Sequence, residues 1–183
     1  LLRSKRMEYI ENNLTYEDYV ALRASVDWNI FDEGQTRTCV SNSTYTVTAV
    51  DDGEVIGMAR MIGDGMYFLI ADVVVRPEYQ GKGIGSRLVR ALENVLFYQG
   101  YQRIYALITA ENANSIAFHQ KMGYKLRAEL PDAGLKFGRW IGVVWMDKAS
   151  DFVDLPISFP RSWKMLIQDG QSFSDILGIL SLS

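Results

Sequence analysis

This chain has little cysteine, histidine or proline: one Cys, one His and four Pro in 183 residues. Cys39 alone excludes an internal disulfide, and the expected setting is cytoplasmic. Cys39 itself reads as a half-buried strand residue and not as a nucleophile. With His119 as the only histidine, no metal-ligand cluster is spelled out, and no metal is expected. No apolar run reaches the roughly 18 residues a membrane helix needs. The basic opening, 1–6, is followed by no apolar signal core, and Met7 is a candidate start. No membrane partner is therefore expected. A strong charge of one sign is missing too: the formal net charge is −3, which argues against nucleic acid as the main partner. There is no internal repeat and no low-complexity stretch. What is present is 48% hydrophobic content, enough for one domain with a sizeable core.

The most informative stretch is Ile70-Ala-Asp-Val-Val-Val-Arg-Pro-Glu-Tyr-Gln-Gly-Lys-Gly-Ile-Gly-Ser86. Val73, Val74 and Val75 are β-branched, as a strand covered on both faces requires. Pro77 cannot continue a ladder, so the strand ends near Arg76. Gly81, Gly83 and Gly85 alternate with Lys82 and Ile84, so backbone N–H groups can converge without Cβ obstruction. A helix beginning there adds unpaired N–H donors and the positive end of its dipole, a seat for phosphate. A Walker loop would need Lys-Ser or Lys-Thr after four spacers, and a dinucleotide fingerprint would need glycine where Ser86 stands.

The rest of the chain frames this unit. Thr15 is a candidate cap for a helix running to about Ala24, with Tyr19, Leu22 and Val26 on one face. Trp28 and Phe31 follow in an irregular stretch; they either cap the core or wall a pocket. Residues 35–41 suggest another short helix. Strands are expected at 44–50, 54–62 and 66–75, joined at Asp51-Asp-Gly53 and Gly63-Asp-Gly65. A helix from Gly83 to Gly100 carries the stripe Ile84, Leu88, Leu92, Val95 and Leu96, with Arg87, Arg90 and Glu93 on the wet side. A buried strand at 103–109 follows, joined by that helix to the 66–75 strand and expected parallel to it. Asn114 is a candidate cap for a helix 115–122 stopped by Gly123. Strands at 124–129 and 140–148, with a turn at 131–134, complete an α/β domain over 1–148.

The spacing Gln80-x-x-Gly83-x-Gly85 resembles the coenzyme-A pyrophosphate loop of the GNAT acetyltransferase family. A second stretch, Asn112-Ala-Asn-Ser-Ile-Ala-Phe-His-Gln-Lys-Met-Gly-Tyr124, is similar to that family's Asn…Phe-Tyr-Glu-Lys-Leu-Gly-Phe segment. A third, Ala133-Gly-Leu-Lys-Phe-Gly-Arg-Trp140, resembles the end of the phosphinothricin acetyltransferase-like branch. The resemblance covers roughly 45–148. It implies a GNAT fold: a mixed central sheet with antiparallel N-terminal strands, splayed parallel central strands and flanking helices. It also implies an N-acetyltransferase that moves acetyl from acetyl-CoA to a primary amine of a small or amino acid-like molecule. A CoA-binding regulatory or catalytically degenerate member is the alternative.

The resemblance assigns residues as well. Val73, Val74 and Val75 would lie beside pantetheine, with a backbone N–H near the thioester oxygen. Gln80, Gly81, Lys82, Gly83, Ile84, Gly85 and Ser86 would hold the pyrophosphate, with Lys82 and Arg87 as charge partners. Asn112 and Phe118 would contact the cofactor. His119 stands where the family usually has a Tyr that protonates the leaving thiolate. The family carboxylate early in the central strand is missing; Asp72 is the nearest acid and a candidate base, beside deprotonation through water. Asp27 and Asp64 are candidates for selecting a cationic amine, and Trp28 and Phe31 for the acceptor wall. Beyond the resemblance, 149–183 reads as a linker with Pro156 and Pro160 and then a short helix from Ser172. Its stripe of Phe173, Ile176, Leu177 and Leu180 can dock on the domain or join two copies as a homodimer.

Overall fold

The computed structural model describes residues 7–64, 68–136, 138–150 and 160. The expected helix from Ser172, the linker around Pro156 and the start of the third strand at Met66 lie outside the described residues. The described residues divide into two compact units, one running to Val95 and one starting at Leu96.

The first unit opens with strand β1 (Glu8–Glu11), which the sequence reading missed. It is too short for periodicity to register. Helix α1 (Tyr16–Ser25) starts where Thr15 accepts from the Asp18 N–H at 3.1 Å. Helix α2 (Glu33–Ser41) is capped by Asp32, whose carboxylate accepts from the Gln35 N–H at 2.9 Å. It carries Cys39, half-buried in a helix and not in a strand. Strands β2 (Tyr45–Asp51), β3 (Glu54–Gly63) and β4 (Phe68–Val75) pair antiparallel in the order β1-β2-β3-β4. The β2–β3 hairpin turns through Asp52 at φ 54° and Gly53 at φ 82°, the left-handed pair its sequence predicts. Both central strands are covered on both faces. The alternating threonines of β2 are buried with their apolar neighbours, and Thr48 donates to the Asn13 side chain at 2.7 Å.

The core of this unit joins Leu14, Tyr19 and Leu22 from α1 and its approach to Met58 and Val74 from the sheet. Helix α3 (Ile84–Gln99) buries the expected stripe. Glu93, expected on the wet side, is 2% exposed: α3 is enclosed around more of its circumference than a single stripe suggests. A Cβ on Gly57 of β3 would stand 3.1 Å from the Val74 carbonyl oxygen and 3.4 Å from Leu88. Glycine there lets α3 lie directly on the sheet.

The second unit contains β5 (Arg103–Thr109), helix α4 (Ala113–Lys121), β6 (Lys125–Lys136) and β7 (Arg139–Ala149). Its strand order is β5-β7-β6, all antiparallel. β5 is buried on one face only: Ile104 and Ile108 are enclosed, while Tyr105 and Leu107 are exposed. The ladder partner of β5 is β7. The expected turn at 131–134 is instead a bulge inside β6, where the register shifts between Leu130 and Gly134 and Asp132 takes φ 50°. A proline and a left-handed aspartate read equally well as a turn or as a bulge. The partner strand decides.

Candidate active site

The glycine-rich loop lies between β4 and α3. A single 3-10 turn, Pro77–Tyr79, leads into Gln80, whose side-chain amide donates to the Val75 carbonyl at 3.0 Å. Tyr79 donates to the Asp51 carboxylate at 3.0 Å and ties the loop to the β2–β3 hairpin. Gly81 and Gly83 take φ 76° and 80°, and an added Cβ at either would meet nothing within 4 Å. Their glycine character is conformational and leaves the loop backbone open on its outer side. Gly85 lies in the first turn of α3 and needs no positive φ. Ile84 is buried and anchors the helix start. The first N–H groups of a helix have no intrahelical partner, so α3 presents donors beside the open loop. Lys82 is exposed, its Nζ 4.7 Å from the Tyr79 ring centroid. This donor set fits a pyrophosphate: open backbone, helix N-terminus and a nearby cation.

The strand before the loop is kinked. Ala71 of β4 faces Arg60 and Val74 faces Met58, so Asp72 and Val73 together lie opposite the single Ala59. This is a β-bulge, which leaves one residue out of the ladder. Asp72 takes φ 48°, in the left-handed region. Its carboxylate is clasped from three sides: Arg60 Nε donates at 2.5 Å, Arg23 Nη1 at 2.9 Å and the Tyr19 hydroxyl at 3.0 Å. Both arginines are buried, at 8% and 9% exposure. Burial works against the Arg60 charge, yet its hydrogen bond and charge interaction with Asp72 hold its pKa above the ordinary arginine value. The Tyr19 hydroxyl is pushed up by burial, by its hydrogen bond with Cys39 and by the Asp72 charge. Asp72 was the sequence candidate for a base. With both oxygens engaged by donors, it suits an anchor instead.

Arg23 extends the cluster outward. Its Nε and Nη2 donate to the Asn29 carbonyl at 3.0 and 2.8 Å. The rings of Trp28 and Phe31 stand 5.2 and 5.5 Å from its guanidinium carbon. Trp28 and Phe31 are 41% and 52% exposed, so they do not cap the core. Asp27 sits at φ 55°, in turn geometry. Tyr19, Arg23 and Arg60 were missed as site residues. The available signal was Arg60 itself, a charge inside the apolar run of β3, since a buried charge needs a partner.

In the second unit, Asn112 and not Asn114 caps α4, its side-chain oxygen accepting from the Ser115 N–H at 3.0 Å. His119 Nδ1 lies 2.8 Å from the Ser115 carbonyl oxygen. A carbonyl only accepts, so Nδ1 carries a proton. The neutral ring then has its lone pair on Nε2, and only the imidazolium can donate from that nitrogen. The ring is held edge-on between Phe118 and Tyr124, with centroids at 5.3 and 5.1 Å. An exposed pair, Arg139 with Glu111, closes at 2.6 and 2.7 Å just before Asn112 and holds the Glu111 carboxyl below its ordinary range. Among the described residues, no group of three or more His, Cys, Asp or Glu is placed to hold a metal ion, and no helix is long and apolar enough to cross a membrane.

Comparison with known proteins gives the arrangement a setting. The acetyltransferase (GNAT) family model matches residues 8–124. The L-methionine sulfoximine/L-methionine sulfone acetyltransferase of Pseudomonas aeruginosa is 34% identical over 110 residues, 56% of this chain and 63% of that protein. The L-amino acid N-acyltransferase of Escherichia coli is 35% identical over 79 residues, 43% of this chain and 46% of that protein. The chain thus spans between about half and just under two thirds of these relatives. The phosphinothricin acetyltransferase of Sinorhizobium meliloti, solved with acetyl-CoA, superposes with a TM-score of 0.65 at 21% identity, over 82% of this chain and 94% of that one. That likeness is one of fold.

Proposed function

Because the chain belongs to the acetyltransferase (GNAT) family, we propose that it transfers an acetyl group from acetyl-CoA to the primary amine of a small, amino acid-like acceptor. The observation that carries this reading is the open left-handed loop at Gly81 and Gly83 set against the start of α3. It supports diphosphate binding through backbone donors, with Lys82 supplying charge. Two relatives named for amino acids and amino acid analogues support the acceptor class.

When bound, acetyl-CoA supplies the activated acetyl as a thioester. The chain's own residues do the rest. Residues 80–86 hold the diphosphate. β4 is the last strand of its sheet, and alternation turns the Val73 and Val75 backbone to its free edge while Val74 pairs with Met58, so this edge can meet the pantetheine amides, with Gln80 already on the Val75 carbonyl. The bulge at Asp72 and Val73 interrupts the ladder there, and a backbone N–H at this interruption is the donor this reading gives the thioester oxygen. His119 is the proton donor this reading gives the departing sulfur, through Nε2, because Nδ1 keeps its bond to the Ser115 carbonyl. Asn112 keeps a free amide nitrogen for the cofactor while its oxygen caps α4, and Phe118 lines the same helix. Trp28 and Phe31 offer an apolar wall to the acceptor. With Asp72 engaged, the amine loses its proton to water.

The test is thiol release from acetyl-CoA across a panel of small amino acids, polyamines and peptide N-termini. Turnover with an amino acid-like amine is expected. Cofactor binding without thiol release on any amine would overturn the transferase reading in favour of a CoA-binding regulatory role.

A further inference from the structure

The bulge in β4 is held by side chains and not by its own backbone preference. A left-handed aspartate carries local strain and persists only where its surroundings over-determine it. Here they do. Tyr19 and Arg23 reach Asp72 from α1, and Arg60 from β3. Arg60 is fixed in turn by Nη1 bonds to the Cys39 carbonyl at 3.2 Å and the Ser43 hydroxyl at 3.3 Å. Arg23 is fixed by its fork on the Asn29 carbonyl, in the loop that carries Trp28 and Phe31. The carboxylate thus links α1, β3 and the β4 kink through hydrogen bonds, and Arg23 extends the link to the 26–31 loop.

We propose that Asp72, clasped by Arg23 and Arg60, is a positioning residue for acetyl transfer: it sets the left-handed kink of β4 and so the direction of the backbone N–H that the kink frees from the ladder. The inference rests on the transferase reading above and deepens it. The chemistry needs a donor aimed at the oxygen on which negative charge develops, and such a donor works only when fixed in advance. A backbone N–H beside a bulge has no side chain of its own to aim it. Two buried guanidinium groups on one carboxylate supply that aim. The same arrangement accounts for a carboxylate near the reacting strand that is not a base: its oxygens are spent on holding the strand.

The test compares the full chain with Asp72→Ala, Asp72→Asn and Arg60→Lys, reading kcat, KM for acetyl-CoA and the pH dependence of kcat. Asp72→Ala removes the clasp and places a strained residue at φ 48°; kcat is expected to fall about 100-fold, the cost of misplacing an oxyanion donor. Asp72→Asn tolerates the left-handed backbone and keeps one acceptor for Arg60, so its kcat falls only about tenfold. Arg60→Lys keeps the charge but loses the Nε donor and falls by several-fold. In all three, KM for acetyl-CoA and the shape of the pH profile stay as in the wild type. Where Asp72→Ala fails to give a cooperative melt, the other two variants carry the comparison. Wild-type kcat in Asp72→Asn and Arg60→Lys overturns the positioning role. So does an equal collapse of both Asp72 variants with loss of the acidic limb of the pH profile, which would make Asp72 the base. A wild-type chain that releases no thiol with any amine overturns the transferase reading and this inference with it.

Discussion

At the scale of single residues, two glycines and one histidine carry the most chemistry. Gly81 and Gly83 occupy left-handed backbone with open space around them. Alanine at either position costs about 1–2 kcal/mol of local strain and puts a methyl on the anion-facing loop. The expected outcome is a rise of about tenfold or more in KM for acetyl-CoA with only a few degrees lost in melting temperature. A variant whose KM is unmoved would remove the diphosphate from this loop. His119 is committed at Nδ1 to the Ser115 carbonyl, so its chemistry runs through Nε2. His119→Ala should lower kcat by roughly 100-fold, within the usual range for a general acid, with KM for acetyl-CoA retained. Undiminished turnover would leave His119 as a helix residue packed between Phe118 and Tyr124.

At the scale of elements, close approach decides more than propensity does. Gly57 is the contact point of β3 with α3, and the atom nearest an added methyl is the Val74 backbone oxygen at 3.1 Å, which cannot rotate away. Gly57→Ala should therefore destabilise the fold by about 1–3 kcal/mol, the range of overpacked sites. Urea denaturation checks this, and a neutral result would mean that α3 shifts freely on the sheet. Local signals predicted most elements well: the Thr15 cap, the Asp52–Gly53 turn, the α3 stripe and the Gly123 stop all appear where residue chemistry places them. The failures share one cause. The continuation of β6 through Pro131, the burial of Glu93 and the covered threonines of β2 depend on what lies against each segment. No pattern inside the segment records that.

At the scale of the whole molecule, ligand and pH are the levers. Acetyl-CoA at about 100 times its Kd should stabilise the chain by roughly 2.7 kcal/mol, seen as a melting temperature several degrees higher. No shift would mean no binding. In the second unit, Asp147 on β7 is buried and paired with Arg103 and, at 2.7 Å, with Arg127. Burial opposes its charge, but hydrogen bonds from the two arginines hold its pKa below the ordinary value of 3.8. A folded value below the unfolded one stabilises the fold above pH 3.8, and that contribution is lost as pH falls through the folded value. Asp147→Asn should accordingly lower stability at pH 6 and lower it less at pH 3; an equal loss at both would place the effect outside this titration. The chain's membership of its family and the strand–loop–helix proposed to seat a diphosphate were legible from residues alone, because glycine spacing, a terminating proline and a helical stripe act over a few neighbours. Whether Asp72 takes a proton or holds a kink was not legible. Its partners lie 12, 49 and 53 residues away, and only folding brings those donors to one carboxylate.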